Sequence, residues 1–280
     1  PGCVCGGGPS CILTHDAAPD HDREALARVE SGLYAPVGIV HEVGEVESFP
    51  APYYLASGAS TERFSDAVAA RQAAGVASDW DSAFMKALGE SYERYAAGVY
   101  RTAQLTRGSP ESVEGAIPLS AFVRPESWDD PESLPWLPAE HLGTGERRAV
   151  PAETVVYPPP SRDVRPPVTT GLGLGSGETD ALLSGLYEVV ERDAAMLSWY
   201  STYDPLEIVA ADASDYETLR RRAGAEGLEV TALLLTQDID VPVVAVTVEG
   251  EGWPAFAVGS AAALDPEAAA TGALEEALQN

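Results

Sequence analysis

Two octapeptides of the chain carry the same acids and the same base in the same order: ALGESYER, residues 87–94, and GLYEVVER, residues 185–192. Each places two glutamates three apart, with an arginine four after the first, so on a helix all three share one side. One such trio alone is an ordinary solvated face. Glu90–Arg94 and Glu188–Arg192 would then be ion pairs worth about 0.2–0.5 kcal/mol each. A third copy changes that reading. Aligned on Glu90, Glu188 and Glu276, three segments share acceptable N-cap residues eleven positions earlier (Asp79, Gly177, Asp265). They share small residues seven earlier (Ala83, Ala181, Ala269) and three earlier (Ala87, Gly185, Ala273), and a leucine two earlier (Leu88, Leu186, Leu274). Three positions after the first acid stand Glu93, Glu191 and Gln279.

An internal repeat of this kind predicts three similar helices. Met85-Leu88-Tyr92, Leu183-Leu186-Val190 and Thr271-Leu274-Leu278 form an apolar stripe at helical spacing, which predicts that this side of each helix faces the core. A solvent face would carry long charged residues where all three copies keep Ala or Gly. Something is therefore expected to approach that side closely. If the three acidic sides converge, five carboxylates meet, and they repel unless cations neutralise them. Mg²⁺ takes oxygen ligands and commonly bridges to phosphates. The residues thus point to a multi-Mg²⁺, ATP-type site where these acids meet. Arg94 and Arg192 would pair with phosphate oxygens or with the glutamates. The turns before the helices, AAGVAS (73–78), TTGLGLGSG (169–177, with Thr170) and VGSAAAL (258–264), are rich in Gly or Ala, so backbone N–H groups could reach a phosphate. None is a P-loop or a dinucleotide fingerprint.

The elements that must position these residues follow from pattern. GLYAPVGIVHEVGEV (32–46) reads as strand, turn and strand, and APYYLASGAS (51–60) as a strand. Helices are expected from Ser78 to about Arg101, from Gly177 to Tyr200, over 213–224, and from Asp265 onward. Prolines break 104–168 into loops and short strands, with AVPAETVVY (149–157) following the turn GTGE (143–146). LEIVAA (206–211), LEVTALLL (228–235), VPVVAVTV (241–248) and PAFAVG (254–259) read as strands. The fold class is α+β: repeated strand–turn–helix units with mixed or antiparallel sheets and long helices. The parts 30–105 and 165–280 are expected to share one cleft. Residues 1–29 read as a linker or the edge of an upstream module, and 30–280 as one domain.

A formal charge of −27 repels nucleic acid and anionic lipid. One lysine, Lys86, among sixteen arginines suggests a salt-rich cytoplasm, where a hydrated acidic surface is screened. No apolar run approaches about 18 residues, so no membrane span is expected. There is no signal peptide, and a cytoplasmic protein is expected. Cys3, Cys5 and Cys11 cannot supply a four-thiolate zinc site. They read as free thiols, or as half of a site lying upstream. A start at Pro1 and an end inside a helical pattern, ALEEALQN, suggest a fragment of a longer polypeptide.

The segment TTGLGLGSGETDALLSGLYEVVERDA (169–194) resembles the hallmark of the YcaO family: S-x-G-x-A-x-G, about seven residues, then G-L-x-E-x-x-E-R-D. AAGVASDWDSAFMKALGESYERYAAG resembles the family's first glutamate helix. VPVVAVTV…AVGSAAALDPEAAATGALEEALQ resembles its third segment, and VGIV (37–40) and AVPAETV (149–155) resemble further landmarks. The resemblance covers about 30–280. It implies ATP and Mg²⁺ as cofactors and phosphorylation of a peptide amide oxygen while a nucleophile adds to that carbonyl. By the resemblance, Glu90, Glu93, Glu188 and Glu191 match metal–nucleotide carboxylates, and Arg192 a phosphate-contacting arginine. Glu276 and Gln279 match the third motif. No side chain is assigned as a general acid or base. Three departures stand out: Val76 where G-K-G is common, Lys86 where Ser is common, and no residue for the arginine usually two past Gln279. A Cys-bearing segment before the core resembles fusions of the SagD-type branch. This implies azoline formation on a leader-bearing peptide, with a leader-docking or sulfur-relay partner. Thioamide formation, sulfur transfer and a non-catalytic nucleotide-binding scaffold remain open alternatives, as does a homodimer.

Overall fold

In the computed structural model, each acidic helix follows a strand or extended segment on which it packs. The structure describes residues 27, 32, 38–40, 43–45, 55–58, 73–77 and 79–280, less 102, 104, 125–129, 165, 167, 203, 210–213 and 253–254. The three cysteines, most of 1–29 and most of 46–72 lie outside the described residues.

The first unit is an antiparallel sheet of order β1-β2-β3: Gly44–Glu45 (β1), Leu55–Gly58 (β2) and Ala73–Val76 (β3). Helix α1 (Trp80–Gly98) starts where the Asp79 carboxylate accepts the Ser82 N–H at 2.9 Å. It buries Ala83, Phe84, Ala87 and Leu88 completely, and Trp80 stacks on Phe84 with ring centroids 4.6 Å apart. Full burial of a Leu or Phe side chain contributes about 1.5–3 kcal/mol, which holds the helix on the sheet.

A second antiparallel sheet, Thr106–Gly108 (β4), Leu134–Glu140 (β5) and Arg147–Pro151 (β6), has β5 in the middle. The prolines of LPWLPAE argue against a central strand. They fit because the two ladders hardly overlap. Residues 134–136 pair with β4 and 136–140 with β6, so Pro135 and Pro138 each have a neighbour on one side only.

Helix α2 (Glu178–Tyr200) leads to the third sheet, order β10-β9-β8-β7, built from Leu206–Glu207 (β7), Glu229–Leu234 (β8), Val243–Glu249 (β9) and Phe256–Ala262 (β10). All its pairings are antiparallel. Helices α3 (Asp215–Ala225) and α4 (Pro266–Gln279) cover one side of it. Strand β9 shows why VVAVTV is apolar at nearly every position. Val244, Val246 and Val248 face α3 and α4, while Val243 and Ala245 face Val190 and Ala194 of α2. Among the described residues of LEIVAA, Leu206–Glu207 form the two-residue strand β7.

The apolar stripe behaves as expected in two copies of three. Leu88, Leu274 and Leu278 are buried, but Leu183 and Leu186 of α2 are 41% and 47% exposed. In α2 the expectation that this stripe faces the core holds at Val190, which packs on Val243 and Ala245, and fails at Leu183 and Leu186, because among the described residues no sheet lies beneath these leucines. The segment before α2 belongs to none of the three sheets.

Candidate functional site

The small residues of the repeat have a structural explanation. A methyl group added at Gly75 would collide with Ala83 O and Ala87 N of α1, and one at Gly173 with Ala181 O and Gly185 N of α2. At Gly259 it would collide with Ala273 O and Ala277 N of α4, one turn further along its helix. What approaches the Ala/Gly side is therefore the chain's own extended backbone. That side is closed and cannot admit a ligand.

This close approach brings the first glutamate of each copy onto the backbone that precedes its helix. Ala74 N donates to Glu90 Oε2 at 2.9 Å, Gly171 N to Glu188 Oε2 at 2.8 Å, and Ser260 N to Glu276 Oε2 at 2.6 Å. The expectation that these turns offer free N–H groups to phosphate fails at these three positions, because a carboxylate already takes the donor. Thr170 lies half-buried in the turn next to Gly171. Each first acid is thus held in one orientation by a hydrogen bond to a charged acceptor, the stronger kind.

The units then interlock. A side-chain carbon on Gly89 of α1 would touch Leu174 Cδ2, in the segment before α2. Helix α2 packs on β10, and α4 packs on β3. Each helix leans on the extended segment of another unit, so the second acid of one unit comes near the first acid of the next. Glu93 is pushed up to about 7, by burial first and then by the Glu188 charge, with Arg94 opposing. Glu191 is also pushed up to about 7, by burial first and later by Glu276 and Glu188, against the Ser260 hydroxyl that donates to it at 2.6 Å. Glu276 is raised by burial, with Glu188 and Glu90 adding and Arg192 opposing. Glu90, Glu93, Glu188, Glu191 and Glu276 therefore stand within electrostatic reach of one another at the meeting of α1, α2 and α4.

The arginines occupy the same place. Arg94 Nη2 lies 2.5 Å from Glu90 Oε1, and Arg192 lies 3.3 Å from Glu188 and 4.0 Å from Glu191. Arg192 is half exposed. Gln279 is half-buried in the last turn of α4, at the position where the other copies carry their second acid. Among the described residues, no three His, Cys, Asp or Glu side chains are arranged to hold one metal ion. The acids meet as pairs, which suits Mg²⁺, since it takes one or two carboxylates and completes its shell with phosphate and water. A cavity of about 290 Å³ lies elsewhere, between β7 and α3, and touches none of these acids.

Two participants escape a reading of spacing alone. Ser260, on β10, bridges Glu191 through its hydroxyl and Glu276 through its N–H. The only available signal was its place sixteen residues before Glu276, matching Ala74 before Glu90. Lys86 pairs with Glu275 of α4 and donates to Val76 O at 3.2 Å, joining the first and third units.

The family model of the YcaO cyclodehydratases, described as ATP- and Mg²⁺-binding, matches residues 74–280. An uncharacterised protein of Methanothermobacter thermautotrophicus (strain Delta H) is 33% identical over 204 residues, 69% of this chain and 53% of its own length. The chain thus spans about half the length of that relative. Of solved structures, YcaO from Methanopyrus kandleri, bound with AMPPCP and Mg²⁺, superposes with a TM-score of 0.72 at 26% identity, over 92% of this chain and 66% of that one. A heterocyclase in complex with substrate and cofactor gives a TM-score of 0.77 at 18% identity, over 92% and 39%. That likeness is one of fold.

Proposed function

The chain belongs to the YcaO family, and we propose that it uses ATP and Mg²⁺ to activate backbone amides of a ribosomally made peptide, closing Cys, Ser or Thr side chains into azolines. One observation carries this reading: half-buried carboxylates of different units come within electrostatic reach of one another in pairs, Glu93 with Glu188 and Glu191 with Glu276. Desolvated acids that repel one another are poorly placed for a solvated surface and well placed for cations. Bound Mg²⁺-ATP supplies the phosphoryl group that makes the amide oxygen a leaving group.

The chain's own residues would hold and orient. Glu90, Glu188 and Glu276 are fixed by their backbone bonds, so they need no reorganisation on binding. Glu93 and Glu191 would give up their protons to become ligands. Arg94 and Arg192 would exchange a carboxylate for phosphate oxygens, which suit the same guanidinium fork. Thr170, beside Gly171, and Gln279, in the last turn of α4, would add polar contacts to the bound nucleotide. Catalysis then rests on positioning and charge neutralisation around the phosphates. The substrate is a leader-bearing peptide, delivered by a leader-docking partner.

The test mixes the full-length protein and its docking partner with a Cys-containing precursor peptide, Mg²⁺ and ATP. ADP and phosphate should appear as the peptide loses one water per ring. Glu93→Gln and Glu191→Gln should lower the rate by roughly 10²-fold, the scale of losing one preorganised charge contact. Exchange of peptide oxygen for sulfur would assign the protein to thioamide formation instead. Unchanged turnover in both variants would exclude the carboxylate pairs from the chemistry.

A further inference from the structure

We propose that the apolar face of α2, with the extended segment 171–175 beside it, is a docking surface for an antiparallel β-hairpin. The hairpin belongs to the stretch of YcaO polypeptide that the longer relatives carry and this chain does not span. Comparison of the three units leads to this. In the first unit the backbone crossing the Ala/Gly side of the helix is β3, with β2 paired outside it. In the third it is β10, paired with β9. In the second, Gly173 makes the same approach to α2 that Gly75 makes to α1. Yet among the described residues no strand pairs with 171–175.

The side chains tell the same story. Leu88 and Leu274 are fully buried in the cores of their units, while their counterpart Leu186 is 47% exposed. Leu182, Leu186, Val189, Met196 and Tyr200 follow a three–four spacing along α2, and all are exposed. Leu174, in the unpaired segment, is exposed as well. Single exposed leucines are ordinary, but five exposed apolar residues on one side of a helix, interrupted only by Asp193, mark a surface that something covers. The stripe continues into the core beneath it, where Val190 and Ala194 already pack on Val243 and Ala245.

Three facts select the occupant. The relatives have the chain to supply it, since this protein spans 53% of one and 66% of another. The repeat specifies its form: a hairpin with one apolar face and an edge that pairs with 171–175. A second copy is disfavoured, because a chain of charge −27 repels its own kind and Asp193 falls within the stripe, where two copies would oppose their acids.

The experiment places a photo-crosslinking residue, Leu186→p-benzoylphenylalanine, in the full-length protein, and maps the linked peptides by mass spectrometry. The expected product is an intramolecular link to a strand-patterned peptide outside residues 1–280. A link to residues 1–72, a link between two copies, a link to an unrelated protein, or no link would each overturn the proposal. Hydrogen exchange on the unsubstituted full-length protein gives an independent readout should the variant fold poorly. Amides within 172–175 should be protected to the level of β9, and exchange at the rate of an open loop would overturn the pairing.

Discussion

Replacing Glu191 by Gln should stabilise the ligand-free protein above neutral pH while weakening Mg²⁺-ATP binding. In the folded state this carboxyl is raised from 4.5 to about 7, by burial first and by Glu276 and Glu188 in addition. The side chain is only 13% exposed, so solvent screening is small. Between pH 4.5 and 7 the folded form binds more protons at this group than the unfolded form does. Stability therefore falls as pH rises through that window, and the whole penalty is present above it. A shift of that size corresponds to roughly 3 kcal/mol for one group. Coupling to Glu93, Glu188 and Glu276 means that such penalties do not add. Gln mimics the protonated acid and keeps an acceptor for the Ser260 hydroxyl. Urea denaturation without ligand should show the wild type losing stability from pH 5 to 8. The variant should match it near pH 5 and exceed it by about 2–3 kcal/mol at pH 8. Adding Mg²⁺-ATP should reverse the order, because bound cations favour the ionised acids, and calorimetry in buffers of different ionisation enthalpy should register proton release. A variant equal to or less stable than wild type at pH 8 would refute the claim that unneutralised acids strain this site.

Two further outcomes test the scaffold. Glu153 is 2% exposed, and its carboxylate accepts the N–H groups of Asp163 and Val164 and the Ser161 hydroxyl. Glu153→Leu would leave those donors unpaired, and chemical denaturation should show a loss of about 2–4 kcal/mol, with a loss under about 0.5 kcal/mol refuting its role in pinning 161–164. Gly259→Ala would drive a methyl into Ala273 O and Ala277 N, both backbone atoms, and should lower stability by about 1–3 kcal/mol or more, whereas Gly252→Ala, with open space around it, should change little.

The sequence made the repeat legible because its signals are local. Helical spacing, N-cap residues and paired acids lie within about a dozen residues, and α1, α2 and α4 begin at Asp79, Gly177 and Asp265 as that spacing predicts. What escaped depends on partners distant in the chain. Strand β5 escaped because whether Pro135 and Pro138 are tolerated is decided by which neighbour pairs where. Ser260 escaped because a lone serine in a strand carries no signal until α2 is laid across β10. The Ala/Gly side was read as room for a ligand because sequence shows the absence of bulk but not what fills the space. The burial of Leu186 was predicted from a stripe it shares with Leu88 and Leu274, and a stripe cannot reveal whether its sheet is present.

The interlocking of the units explains why three copies, rather than one, are needed to bring these acids together, as the proposed site requires. A single strand–helix unit places one acid on its own backbone, as Glu90 on Ala74, and leaves the second on the open side of the helix. Only when α2 lies across β10 does Glu191 reach Ser260, and through it Glu276. Only when α1 meets the segment carrying Leu174 does Glu93 feel Glu188. The third junction, α4 on β3, follows the same rule with a difference of charge. Gln279 stands at the second-acid position, and Lys86 pairs with Glu275 alongside. Two junctions are acid against acid, and the third is relieved by an amide and an ammonium group. A ring with three equal acidic junctions would hold charge to no particular side. This one concentrates more carboxylates than Arg94 and Arg192 can neutralise around α2, the helix that both charged junctions share, and there a cation-bearing triphosphate would be drawn.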